Sequence, residues 1–125
     1  SQHSLYVLSD VAYHDYEGLA LDADEKQRLV ADLGECRMMI LRNHGTLTVG
    51  ETVEEAFFHM YNLERACAIQ IAARAGGAEL ALIPEAVMAE YRRDKPVGSR
   101  FGGFGALELA AWMRKLDRQE PDFRS

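Results

Sequence analysis

Met38-Met39-Ile40-Leu41-Arg42-Asn43-His44-Gly45-Thr46-Leu47-Thr48-Val49-Gly50, followed by Glu51-Thr52-Val53-Glu54-Glu55-Ala56-Phe57, is the stretch from which the fold reads outward. Met38 to Leu41 is a continuous apolar run, the pattern of a strand covered on both faces. Asn43-His44-Gly45 breaks that run with turn chemistry. Thr46 to Val49 alternates polar and apolar, which predicts a second short strand ended by Gly50. Thr52 is a good N-cap and Glu55 stands three residues on, so the pair predicts a capping box. Behind it Val53, Ala56, Phe57, Met60, Leu63, Cys67 and Ile71 keep helical spacing up to a stop at Gly76-Gly77. Phe58, Tyr61, Ala68 and Ala72 widen the stripe. The expected helix is roughly six turns long and buried on most sides, in part by a partner subunit.

The flanks carry weaker patterns. Leu5 to Leu8 and Val11 to Tyr13 read as short strands, and Leu19 to Leu21 is a further apolar stretch. Asp22, three residues before Glu25, predicts a helix from about Ala23 to Leu33, with Leu29, Val30 and Leu33 on one face and Gly34 as its stop. Pro84 suits the first turn of a helix through Arg93. Residues 96–105 form a Gly-rich loop. A last helix runs from about Ala106 to Arg118, with Leu109, Trp112, Met113 and Leu116 on one face, and Glu120-Pro121 ends it. Alternating strands and helices with a helical C-terminal half make an α/β domain.

Composition sets outer bounds. The 125 residues suffice for one compact domain, and 48% hydrophobic with 27% charged residues is an ordinary globular balance. No apolar run approaches a membrane span. Ser1-Gln2-His3-Ser4 has no basic n-region and no apolar h-region behind it, so no leader is expected. A net charge of -6 argues against nucleic acid as a partner, because phosphate binding needs a basic surface. Cys36 and Cys67 are too few for a disulfide framework and lack metal-finger spacing; a reduced, cytoplasmic setting is expected. Cys67, among apolar helix residues, reads as a small buried side chain.

The sharpest chemical feature is His44, at the end of a buried strand in a tight turn. Rigid strand ends present functional side chains, and a neutral imidazole binds metals. Read alone, the same His is satisfied by a local hydrogen bond that shapes the turn. The longer series is more specific. Leu41-Arg42-Asn43-His44-Gly45, Thr48 to Phe57, Asn62-Leu63-Glu64-Arg65-Ala66-Cys67 and Gln70 together resemble the class II aldolase/adducin family. The resemblance implies a three-layer α/β/α sandwich of class II aldolase type. Residues 1–125 would be its C-terminal portion, lacking the N-terminal half. It implies that His44 is one of three His ligands to a divalent metal, usually zinc. The other two come from an upstream His-x-His motif, and the acid/base carboxylate also lies upstream. His3, His14 and His59 form no such pair.

By the same resemblance the activity is that of a metal-dependent aldolase- or epimerase-like lyase. Its substrate would be a small sugar or sugar phosphate, taken through an enediolate, with the metal as Lewis acid. The alternative is a non-catalytic association module like the adducin head. Family enzymes are typically tetramers with sites between subunits, so a homo-oligomer is expected, and neither nucleic acid nor membrane is an expected partner.

Four other stretches have plainer readings. Tyr13-His14-Asp15-Tyr16-Glu17-Gly18 reads as a surface loop or strand edge; His14 and Asp15 could sit near a substrate cleft and Glu17 could act in proton transfer. His59 falls on the polar side of the long helix, facing solvent or an interface. Glu64 and Arg65 read as an interface ion pair or network rather than as catalysts. The loop Phe101-Gly102-Gly103-Phe104-Gly105 lacks a preceding strand and a following Lys-Ser/Thr, so it is not a phosphate-binding P-loop.

Overall fold

A computed structural model describes residues 1–18, 24–77, 79–93 and 105–124. The order of elements is α1 (Gln2–Leu8), β1 (Val11–His14), α2 (Glu25–Leu33), β2 (Met38–Leu41), β3 (Gly45–Thr48), α3 (Val53–Ala75), α4 (Glu85–Arg93) and α5 (Ala106–Gln119), closed by a 3-10 turn, Pro121–Arg124. The domain is thus mixed α/β around a small sheet.

The sheet has the order β1-β2-β3. β1 runs parallel to β2, with Val11 opposite Met38 and His14 opposite Leu41. β2 turns back into antiparallel β3, with Leu41 opposite Gly45. Successive strand residues point to opposite faces, and Met38 and Met39 are 1% and 0% exposed. Both faces of β2 are therefore covered, as its unbroken apolar run predicts. Met38 shares a core with Val7, Leu63 and Ala66, with Val11, Ile40 and Cys67 packed around it. The Cys67 thiol is pushed up from its ordinary value by desolvation, and further by the Glu64 charge, so it stays a protonated packing group.

The turn between β2 and β3 puts its left-handed residue at Asn43, with φ 55°, rather than at Gly45. Asn tolerates that region because its short polar side chain bonds locally. The His44 N–H donates to the Leu41 carbonyl at 3.1 Å and closes the turn.

Three expectations need correction. Leu5 to Leu8 belongs to a helix, not a strand. Ser1 caps it, with the Ser4 N–H donating to its hydroxyl, and Val7 is buried where α1 packs on α3. A short apolar run does not by itself distinguish helix from strand. The Thr52 hydroxyl does accept from the Glu55 N–H at 3.2 Å, but the Glu55 carboxylate accepts from Glu51 N–H instead of closing the box on Thr52. Finally, α3 is not buried on most sides. His59, Asn62, Leu63 and Ala66 are its buried residues, while Val53 and Ile71 are 75% and 70% exposed. Its 23 residues span roughly 34 Å at 1.5 Å per residue. Its buried residues fall in the middle of the helix, and the exposed Val53 and Ile71 lie toward its two ends.

The α2 helix begins at Glu25 behind Asp24, which makes no side-chain cap; the Asp22 start and the 19–21 stretch lie outside the described residues. Of the 96–105 loop, only Gly105 is described. It stands at φ +86°, and a Cβ there would meet the Glu54 carbonyl oxygen, which lets α5 sit directly on α3. Among the described residues no helix is long and apolar enough to cross a membrane.

Candidate metal centre

Parallel pairing brings the C-terminal ends of β1 and β2 level, and the Arg42 N–H donates to the His14 carbonyl at 3.0 Å. The 15–18 segment and the 42–44 turn therefore leave the sheet side by side. A cavity opens between them, lined by His14, Glu17, Glu25, Leu29, Arg42 and His44 among others.

His44 stands where the sequence places it, at the strand end, with its backbone tied to Leu41. Its side chain is exposed and borders this cavity. Arg42 beside it pairs with Asp15, Nε to Oδ1 at 2.9 Å, and its guanidinium lies 5.2 Å from the Tyr13 ring centre.

His14 is 4% exposed at the end of β1, an edge strand of the described sheet, so of the two expected placements the strand edge holds at this residue and the surface loop does not. Its Nδ1 lies 2.7 Å from Asp32 Oδ2. An ionised carboxylate only accepts, so Nδ1 carries the proton and donates. Nε2 then faces the other way. It is buried and without a hydrogen-bond partner among the described residues, with Glu17 Oε1 at 4.0 Å. Glu17 is held in turn by the Arg28 Nε–H, 2.9 Å from each carboxylate oxygen. Glu25, the first residue of α2, is 9% exposed and brings a second carboxylate. Ligand atoms of His14, Glu17 and Glu25 all lie within 4.8 Å of one another.

Sequence reasoning missed Asp32 and Glu25 as parts of this cluster. The signal was present in α2: Glu25, Arg28 and Asp32 stand at i, i+3 and i+7, one face of a helix.

His59 also departs from expectation. It is 7% exposed, not solvent-facing, because His59, Asn62, Leu63 and Ala66 occupy i, i+3, i+4 and i+7 on the face turned inward. Its Nε2 lies 3.5 Å from Glu55, which also meets Arg37 at 3.3 Å. This cluster is separate from the cavity beside His44. Glu64 and Arg65 are both exposed, and Glu64 accepts from the Thr46 hydroxyl at 2.7 Å, tying α3 to β3.

Comparison with known proteins places these features in context. Residues 1–71, which include every residue of the cavity just described, match the model of the Class II Aldolase and Adducin N-terminal domain. A Caulobacter vibrioides protein that carries the provisional name of an aldolase class 2 protein is 48% identical over 124 residues, covering 98% of this chain and 48% of that protein. Mouse alpha-adducin is 43% identical over 121 residues, covering 88% of this chain and 16% of the adducin. The crystal structure of an aldolase II superfamily protein from Pseudomonas syringae superimposes with a TM-score of 0.85 at 46% identity, over 100% of this chain and 49% of that one. The chain thus spans about half the length of the bacterial relatives it matches.

Proposed function

From the premise that the chain belongs to the class II aldolase and adducin family, we propose that it forms part of a metal-dependent carbon–carbon lyase. The reaction is of aldolase or epimerase type, and the substrate is a small sugar or sugar phosphate. The observation that carries this reading is the position of His44: an exposed imidazole on a rigid turn, at a strand end, bordering a polar cavity, in a chain of this family. The substrate class draws on an L-fuculose 1-phosphate aldolase from Glaciozyma antarctica, whose structure shares the fold at a TM-score of 0.69 and 22% identity.

The donor set at His44 fits a divalent metal in part. A neutral imidazole is a good zinc ligand, and the hydrogen bond from its own backbone to Leu41 fixes the base of the side chain. One His is a fraction of a site, so the remaining ligands come from sequence outside these residues, in the half of the relatives that this chain does not span. On the same reading residues 1–125 are the C-terminal portion of a three-layer α/β/α domain.

A bound divalent ion, zinc by resemblance, would act as a Lewis acid on the substrate carbonyl and hydroxyl oxygens. The chain's own residues do the rest of the work at this edge. His44 holds its ring at the cavity mouth. Arg42, fixed by Asp15 and stacked near Tyr13, keeps a cation beside it that suits an anionic substrate group. None of these side chains is placed to move the reacting proton; that carboxylate is expected from outside the chain.

The test is metal content and sugar-phosphate cleavage by the full-length protein against its His44→Ala variant. Because His44 is exposed, the variant should fold normally while losing bound metal and at least tenfold in turnover. Equal metal content in the two proteins would remove His44 from the site.

The identity to alpha-adducin favours a second reading, a non-catalytic association module. A full-length protein that holds no metal and cleaves no sugar phosphate would support it.

A further inference from the structure

We propose that His14, Glu17 and Glu25 form a divalent-cation site of their own, adjacent to His44 but independent of it. All three ligands lie within this chain. His44 borders the same cavity but is not one of the group whose ligand atoms lie within 4.8 Å of each other.

Three observations point to a cation rather than to packing. The first is the orphaned atom. His14 is 4% exposed, and its Nε2 is buried with no hydrogen-bond partner among the described residues. A buried polar atom left unpaired is costly. The second is the orientation of the ring. The Nδ1–H donates to Asp32 at 2.7 Å, which turns the Nε2 lone pair toward Glu17 and Glu25. Metal-binding imidazoles are commonly held in this way, by a carboxylate on the far ring nitrogen. The third is charge. Glu17 and Glu25 converge near Nε2, and Glu25 is 9% exposed. With the imidazole they offer three ligand atoms, and their two negative charges match a divalent ion. Arg28 pairs with both oxygens of the exposed Glu17 carboxylate and fixes its orientation.

The spacing suits an ion. Tetrahedral ligands at about 2.0–2.1 Å from zinc stand roughly 3.3–3.5 Å apart. Nε2 and Glu17 Oε1 are 4.0 Å apart, so small rotations of the Glu17 and Glu25 side chains close the shell. One imidazole with two carboxylates suits Zn2+, Mn2+ or Fe2+ rather than a thiophilic ion, and an open position remains for an oxygen of a ligand in the cavity.

The test is titration of the chain with Mn2+, read by electron paramagnetic resonance. One ion should bind saturably. Glu25→Gln, which preserves shape and removes charge, should lower affinity at least tenfold, and His14→Ala should abolish binding. Asp32→Asn, which leaves every ligand in place, should lower affinity about 10- to 100-fold, with an unchanged circular dichroism spectrum. If His14→Ala fails to fold, Glu25→Gln and Asp32→Asn decide the matter. Absence of saturable binding, or full affinity in Glu25→Gln and Asp32→Asn, would overturn the proposal. Failure of the His44 reading shows elsewhere, in the metal content of the full-length protein.

Discussion

Asn43 determines how His44 is presented. Its φ of 55° turns β2 into β3 within three residues, so the imidazole emerges at the strand end instead of continuing along the sheet. A β-branched residue pays about 1–2 kcal/mol in this region and glycine pays little. Asn43→Val should therefore lower the urea midpoint by an amount equivalent to about 1–2 kcal/mol, whereas Asn43→Gly should leave it nearly unchanged. Equal midpoints for the two variants would show that the turn is not held in the left-handed form. At the same scale, His14 shows how a residue's identity leaves its role open. The stretch Tyr13 to Gly18 is polar enough to read as a loop, and only the Asp32 contact and the burial of the ring reveal its orientation.

The long helix α3 links the other elements. One face carries His59, Asn62, Leu63 and Ala66 into the core, and its N-terminal end supports α5 through Gly105. A methyl group at residue 105 would stand 2.0 Å from the Glu54 carbonyl oxygen and 2.9 Å from Phe58 Cβ. Backbone does not yield as a side-chain tip does. Gly105→Ala should cost about 3 kcal/mol through overpacking and the positive φ and should loosen α5 from α3. The single tryptophan reports this directly, since Trp112 on α5 lies 6.1 Å from Tyr61 on α3, centre to centre. Its emission should shift to the red in the variant; unchanged emission and stability would mean that the two helices do not rely on this approach. The partial capping box at Thr52 belongs to the same scale. The spacing of Thr52 and Glu55 marks the helix start, but which amide the Glu55 carboxylate takes depends on the path of Glu51, and sequence spacing does not give that path.

For the whole molecule, the unresolved balance is between exposed apolar surface and a small core. Tyr13, Val53, Ile71 and Leu82 are all more than half exposed. An apolar groove lined by Val11, Tyr13, Ile40, Leu63 and Ile71 lies along α3 beside β1, an edge strand of the described sheet. Edge strands and apolar patches of this kind are normally covered by further structure. The chain should therefore associate, as the expected homo-oligomer requires. Light scattering at micromolar concentration should give a mass above that of one chain. A well-folded, monodisperse monomer would count against it.

The sequence by itself determined the elements whose signal is local. The apolar run of β2, the start and length of α3 and the position of His44 all follow from consecutive residues and short-range spacing, and the family is legible in the ordered series from Leu41 to Gln70. Tertiary structure alone decided what depends on residues distant in the chain. It made Leu5 to Leu8 helical by giving Val7 a place against α3, turned His59 inward, and left Val53 and Ile71 of α3 exposed. It also brought His14 of β1 and Asp32 of α2, 18 residues apart, within 2.7 Å of each other. The reason is physical: hydrogen-bonded turns and caps act over three or four residues, whereas burial and side-chain convergence depend on which surfaces the assembled sheet and helices bring into contact.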